Sequence, residues 1–383
     1  MLGDPIVYWI LQSILLIALL VSGYGIAYKD KDGTNFWKWA SPSIIAYGLI
    51  HGLRYMRGQD YSHYMSDLEG DRFTEYSEWL YNLWLDIFNN LGLHFSIGFV
   101  CYSTFLIFSF LMVIKKIPQV AVWALPLFLL MLPNSENLVR QYIAIPFILL
   151  AYWAYLDNRS YKLIILFCFL SWSIHYSALF SIILLALLII LLAKKITIKY
   201  PILWLALYVW LFFYWDISWF SYLTDYLNKL NFEDETGAGH FLSDADRWFS
   251  EEGSISLVLG KEYKSIGIIN KTVKFLSECA VIWYGFKVIS IKKEYSVIYW
   301  FTYIAIILKT ISADIEIYDR FAQWLFFMMP ILYGLILVDV PLKRIEKYAI
   351  SSVFFILWGI YGFLYEFGKI GYSGCAFIWD AKL

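Results

Sequence analysis

Apolar residues recur along most of the chain in runs of about 15 to 25, the length a helix needs to cross the hydrocarbon of a bilayer. Short clusters of Lys, Arg, Asp, Asn and Gly separate them. Twelve runs are predicted as helices, at about 6–27, 39–53, 94–114, 119–132, 141–156, 162–174, 177–193, 200–214, 271–290, 295–311, 320–338 and 348–366. Several are too short to span unaided and are expected to be half-spanning or re-entrant, with other protein covering their ends, so about ten to twelve crossings are expected. The predicted fold is an all-α polytopic integral membrane protein, with residues 1–383 as a single membrane domain. No repeat relating the two halves is evident, which disfavours the common inverted-repeat transporters.

Loop charge orients the helices, because cytoplasmic loops are enriched in Lys and Arg. One set of loops carries Lys29, Lys31 and Lys38; Lys115 and Lys116; Arg159 and Lys162; Lys194, Lys195 and Lys199; Lys292 and Lys293; and Lys343, Arg344 and Lys347. The alternate set is poorer in cations and is expected outside the cytoplasm. It contains the 54–93 loop, 133–140, the tip of a hairpin near His175, the large 215–270 loop and 312–319. In the first of these, Trp79, Leu80, Leu83, Trp84, Ile87 and Phe88 have the spacing of an amphipathic helix, either lying in the membrane interface or capping the bundle.

Composition sharpens this picture. The 383 residues are 61% hydrophobic, 21% aromatic and 16% charged, against about 25% charged in an average globular domain. A formal net charge of -1 and the lack of any basic arm exclude nucleic acid as a partner. The four cysteines are isolated, so neither a disulfide framework nor a zinc site is implied. No Walker loop, dinucleotide fingerprint, His-Glu-x-x-His or Gly-x-Ser-x-Gly occurs, and potential metal ligands do not cluster. No cofactor or metal is expected. The first apolar run lacks a basic flank and is expected to be a spanning helix rather than a cleaved signal.

Against the loop-charge rule, cations gather on the outer side. Arg54, Arg57 and Asp60 end the second run, Arg140 and Gln141 open the fifth, His175 sits at the hairpin tip, and Asp314, Glu316, Asp319 and Arg320 flank the tenth and eleventh. Charge at a membrane boundary is expensive and is a functional hypothesis by default. Arginine suits an anionic, phosphate-bearing substrate because its planar fork binds oxygens bidentately and stays charged. Plainer roles stand beside this one. Arg54 or Arg57 could anchor at the interface, Arg140 could be neutralised by Glu136 four residues earlier, and Arg320 could pair with Asp314 or Glu316. His175 has no partner nearby in sequence, and Lys274 with Glu278 forms a self-neutralising pair in the ninth run.

Four segments, Gly52-Leu-Arg-Tyr-Met-Arg-Gly-Gln-Asp-Tyr61, Asn137-Leu-Val-Arg-Gln-Tyr-Ile-Ala144, Ser173-Ile-His-Tyr-Ser-Ala178 and Tyr318-Asp-Arg-Phe321, resemble in order and spacing the EpsG-like family of bacterial polysaccharide polymerases, the Wzy-type enzymes. The resemblance covers nearly the whole chain. It departs from the family at Met56-Arg57, where a valine-like residue is usual.

The resemblance implies a fold like the GT-C membrane glycosyltransferases and an enzyme of the bacterial cytoplasmic (inner) membrane. Its active site would face the extracytoplasmic side and join oligosaccharide repeat units carried on undecaprenyl diphosphate. Arg54, Arg140 and Arg320, with Arg57 as a fourth, would then stabilise the diphosphate leaving group. Asp60, His175 and Asp319 are the candidate bases for the attacking sugar hydroxyl. Tyr61, Tyr64, Trp215 and Trp219 are candidate sugar-stacking residues, or else members of an interfacial aromatic belt. The implied partners are the lipid-linked oligosaccharide, membrane lipid and a chain-length regulator. The competing expectations are a transporter of lipid-linked oligosaccharide, which would move carrier without forming bonds, and a lipid-dependent glycan ligase, which would not yield a ladder of products.

Overall fold

The computed structural model describes residues 3–58, 60–71, 76–129, 132–194, 200–215, 268–312, 316–355 and 374–381. They form α1 (Pro5–Tyr24), α2 (Phe36–Gly52), α3 (Tyr61–Glu69), α4 (Trp79–Asn90), α5 (Phe95–Ile114), α6 (Ala121–Phe128), α7 (Leu132–Asn137), α8 (Val139–Leu156), α9 (Tyr161–Ile174), α10 (Leu179–Ala193), α11 (Pro201–Tyr214), α12 (Ile268–Ile291), α13 (Ser296–Ser312), α14 (Glu316–Phe326), α15 (Met329–Asp339) and α16 (Arg344–Phe355). Among the described residues there is no β-sheet. Among the described residues six stretches are long and apolar enough to cross a membrane, and shorter apolar helices accompany them. The chain is an all-α polytopic membrane protein.

Local chemistry sets several boundaries. Asp4 caps α1, its Oδ1 accepting from the Ile6 N–H at 2.8 Å, and Pro5 follows at the first position, where a missing N–H costs nothing. The predicted run 320–338 is broken at Phe327 and Met328 into α14 and α15. Pro330 in the first turn of α15 accounts for the break, since its ring cannot continue a preceding helix without losing a backbone bond. The hairpin 162–193 turns at His175, whose extended backbone (φ −155°, ψ 114°) ends α9 before a short 3₁₀ turn leads into α10.

Packing in lipid lacks a hydrophobic drive between helices, so close van der Waals approach takes its place. Gly48 and Gly52, one turn apart on α2, supply it. A Cβ on Gly48 would collide with Thr104 and one on Gly52 with Val100, both on α5. α5 also packs on α8 and α8 on α9, while α1 lies against α2 and α6. Tyr47, Leu106, Phe110, Phe128, Tyr152 and Trp324 are among the buried core side chains.

The predicted amphipathic helix is α4. It buries Tyr81, Leu85 and Phe88 and leaves Trp79, Leu83 and Ile87 outward, so its apolar residues occupy two faces rather than one. The predicted loop 215–270 lies outside the described residues except at Trp215 and 268–270, and most of the predicted run 348–366 lies outside them too.

The segment after α2 is fastened by the C-terminal residues. The Tyr55 N–H donates to the Ala376 carbonyl at 3.0 Å, the Ile378 N–H donates to the Leu53 carbonyl at 2.9 Å, and Arg54 and Phe377 form an antiparallel bridge. Gly58, at φ +100°, then turns the chain so closely against the Glu136 carbonyl that no Cβ would fit. A residue other than glycine there would be strained twice over.

Candidate active site

A cavity of about 280 Å³ opens where four stretches distant in sequence meet. Asp60 and Tyr64 come from the start of α3, Leu138, Arg140 and Gln141 from the start of α8, His175 and Ser177 from the break between α9 and α10, and Arg320, Phe321 and Trp324 from α14. Each of the four resembling segments therefore contributes to its wall. The wall is also stapled: the Gln141 Nε2 donates to the Arg320 carbonyl at 2.9 Å, and the Tyr142 hydroxyl donates to the Gln323 Oε1 at 3.3 Å, tying α8 to α14.

The electrostatic centre of the site is Glu78, buried just before α4. Its Oε2 accepts from the Arg140 Nη1 at 3.2 Å, and its Oε1 lies 3.0 Å from the His175 Nδ1. An ionised carboxylate only accepts, so Nδ1 carries the hydrogen and Nε2 is the nitrogen able to take a proton. Burial pushes the Glu78 carboxyl up, but the His175 hydrogen bond and the Arg140 charge outweigh it and hold the group below the usual carboxylate range. For His175, burial is the largest influence and lowers its pKa. The Glu78 hydrogen bond opposes that, the Arg140 and Arg320 charges add to it, and the balance falls below histidine's ordinary value. The imidazole is thus kept neutral and oriented.

Arg140 is held on three sides. Beyond Glu78, its guanidinium lies over the Tyr76 ring at 4.2 Å and the Tyr81 ring at 5.9 Å. Such contacts fix the fork at modest entropic cost. The Trp324 ring sits 5.8 Å from that of His175, and the Trp324 Nε1 donates to the Ser177 Oγ at 3.1 Å, closing the wall on that side. The Asp60 N–H donates to the Asn137 Oδ1 at 3.3 Å, which brings the start of α3 against the residues leading into α8.

The structure brings together Asp60, Tyr64, Arg140, His175 and Arg320. It places Arg54, Arg57, Tyr61 and Trp215 elsewhere. Arg54 is buried away from this cavity, its Nη1 donating to the His51 carbonyl at 2.7 Å. Arg57 is buried against Glu136, between the rings of Tyr8 at 4.7 Å and Phe377 at 5.5 Å. Tyr61 stacks on Phe99 with centroids 4.7 Å apart and donates its hydroxyl to the Arg54 carbonyl at 2.8 Å. Trp215 donates from Nε1 to the Ile311 carbonyl at 3.0 Å, closing α11 onto α13. Trp219 and the Asp319 side chain lie outside the described residues.

One spacing argument is overturned by a longer-range partner: Glu136, four residues before Arg140, accepts from Arg57 instead. Glu278 accepts from the Tyr208 hydroxyl at 2.6 Å and also lies in the field of the Lys274 charge that their spacing suggested. Glu78 itself escaped sequence reasoning. Its partners lie 62 and 97 residues away, and the only local sign is an acid directly before an amphipathic helix in a loop expected outside.

The EpsG family model matches residues 39–374, a range that includes every described residue of the cavity wall. No curated protein and no solved structure matches the chain.

Proposed function

The chain belongs to the EpsG family, membership that suggests a polysaccharide polymerase-like role, and on that premise we propose that it transfers a growing glycan from an undecaprenyl diphosphate carrier to a hydroxyl of the next lipid-linked repeat unit. The observation that supports this most is the meeting of Arg140, Arg320 and His175 around one cavity, with Glu78 held behind the histidine. At about 280 Å³ the cavity is at the small end of ligand sites. That volume suits the junction of one sugar with a diphosphate, while the rest of the donor extends beyond it.

The acceptor hydroxyl gives its proton to the His175 Nε2 as its oxygen attacks the anomeric carbon. The bond from that carbon to the diphosphate oxygen breaks, and its electron pair leaves with the carrier. Arg140 and Arg320 stabilise the charge that develops there, and a positioned donor of this kind is typically worth about 10² to 10³ in rate. Glu78 holds the histidine in the tautomer that can accept, and Asp60 is the second candidate base on the same wall. On this reading the site faces the extracytoplasmic side of the inner membrane, which the loop-charge pattern of the sequence supports.

Reconstitution of the purified chain with a synthetic undecaprenyl diphosphate oligosaccharide tests this, with products resolved on a gel. A ladder of lengths is expected. Single units that cross the bilayer without joining would point to transport instead, and products one unit long to a ligase.

A further inference from the structure

The first turn of α8 divides its side chains between two cavities. Leu138, Arg140 and Gln141 face the larger one, while Val139 and Tyr142 face a second of about 20 Å³. Arg54 lines this smaller space together with the hydroxyl-bearing residues Tyr47, Tyr102, Ser103 and Ser135. Arg54 is only 4% exposed, and its Nε is buried without a hydrogen-bond partner. The guanidinium rests over the Phe99 ring at 4.7 Å and makes no ion pair among the described residues.

Charge balance gives that orphan nitrogen a meaning. The charged and titratable groups acting on Arg54 are Glu136, Tyr61, Arg57 and Tyr47. Glu136 is already engaged by Arg57 and lies 3.3 Å from the His51 Nδ1. Among the described residues two buried guanidiniums therefore face one carboxylate, an excess of one positive charge that a protonated His51 would enlarge. An uncompensated buried charge is among the costliest features a protein can carry. The N-terminus of the 18-residue α8 adds its positive dipole on the same side. Tyr102 accepts from the Trp84 Nε1 at 2.8 Å, which leaves its own O–H to donate.

We propose that Arg54, with the hydroxyls of Tyr102, Ser103 and Ser135, binds a single monoatomic anion of the halide class. A cavity of about 20 Å³ holds roughly one atom-sized occupant. Phosphate and carboxylate ligands are too large, so the site is separate from the one proposed for diphosphate and does not depend on it. The anion neutralises the excess charge and braces the segment between α2 and α3 that supplies Asp60 to the larger cavity.

The test uses the full purified chain in detergent at constant ionic strength, with gluconate exchanged for chloride or bromide. A saturable rise of about 2 °C in melting temperature is expected with either halide, and it is lost in Arg54→Gln. Crystals of the unaltered protein grown in bromide should show an anomalous peak within hydrogen-bonding distance of the Arg54 guanidinium. If Arg54→Gln does not fold, Ser103→Ala/Ser135→Ala should raise the half-saturating bromide concentration about tenfold. Equal melting temperatures in gluconate and halide, or bromide crystals without that peak, would overturn the proposal and identify the occupant as water.

Discussion

His175 and Glu78, 97 residues apart in sequence, are joined by a 3.0 Å contact between Nδ1 and Oε1 that sets which imidazole nitrogen can take a proton. A carboxylate behind a histidine is a general device for orienting a base and stabilising its charged form. Here the same carboxylate also holds Arg140, so the proposed base and the proposed anion-binding group share one anchor.

Replacing Glu78 by Gln should therefore lower turnover by about 10- to 100-fold with a smaller change in KM. Steady-state kinetics with a lipid-linked donor check this, and a change confined to KM would make Glu78 a substrate-binding residue only.

The pH profile follows from the shift at His175. Its pKa lies below the ordinary histidine value, so the neutral base survives into mildly acidic solution. Activity falls only as pH drops through that lowered value. The acid limb should inflect below about 6.5. In Glu78→Gln the hydrogen bond that raises the pKa loses its charge, and the limb should move further to the acid side. An inflection above 6.5, or one that stays put in the variant, would assign the limb to another group.

Arg140→Glu would set a carboxylate beside Glu78 and remove a cation from the cavity wall. Polymer should disappear while single repeat units still accumulate on carrier lipid, as seen by extracting and sizing lipid-linked glycans. Normal polymer from a stably inserted Arg140→Glu would reject the diphosphate role.

Glu136→Gln leaves Arg57 buried without its counter-charge. Breaking such a pair costs about 3–5 kcal/mol. The melting temperature in detergent should fall by several degrees, whereas the milder change Glu136→Asp should fall less. Equal stability of Glu136→Gln and the unaltered chain would show that the cluster is neutral to folding.

The helices were legible because lipid imposes a plain rule on sequence: every spanning backbone must bond to itself, and its side chains must be apolar. The predicted runs 94–114 and 141–156 correspond to α5 and α8 within a few residues. The break at Phe327 and Met328 was hidden because both sides of it are apolar, and only Pro330 marked it. Within the site, Arg140, His175 and Arg320 stood out as polar groups at the ends of apolar runs. What connects them did not. Glu78 and Glu136 choose partners through the fold, and a pairing across 62, 79 or 97 residues leaves no periodic trace. In sequence Arg54 and Arg57 were set apart only by the departure from the family pattern at Met56-Arg57. The backbone turn at Gly58 and the C-terminal residues beside it send them to different surroundings from Arg140.

The most direct measurement is the single-turnover rate of glycosidic bond formation in proteoliposomes loaded with an undecaprenyl diphosphate oligosaccharide, comparing the unaltered chain with His175→Ala. Donor binding should be retained while bond formation slows by about 10² to 10⁴. Equal rates in the two proteins would contradict the assignment of this cavity's histidine as the base.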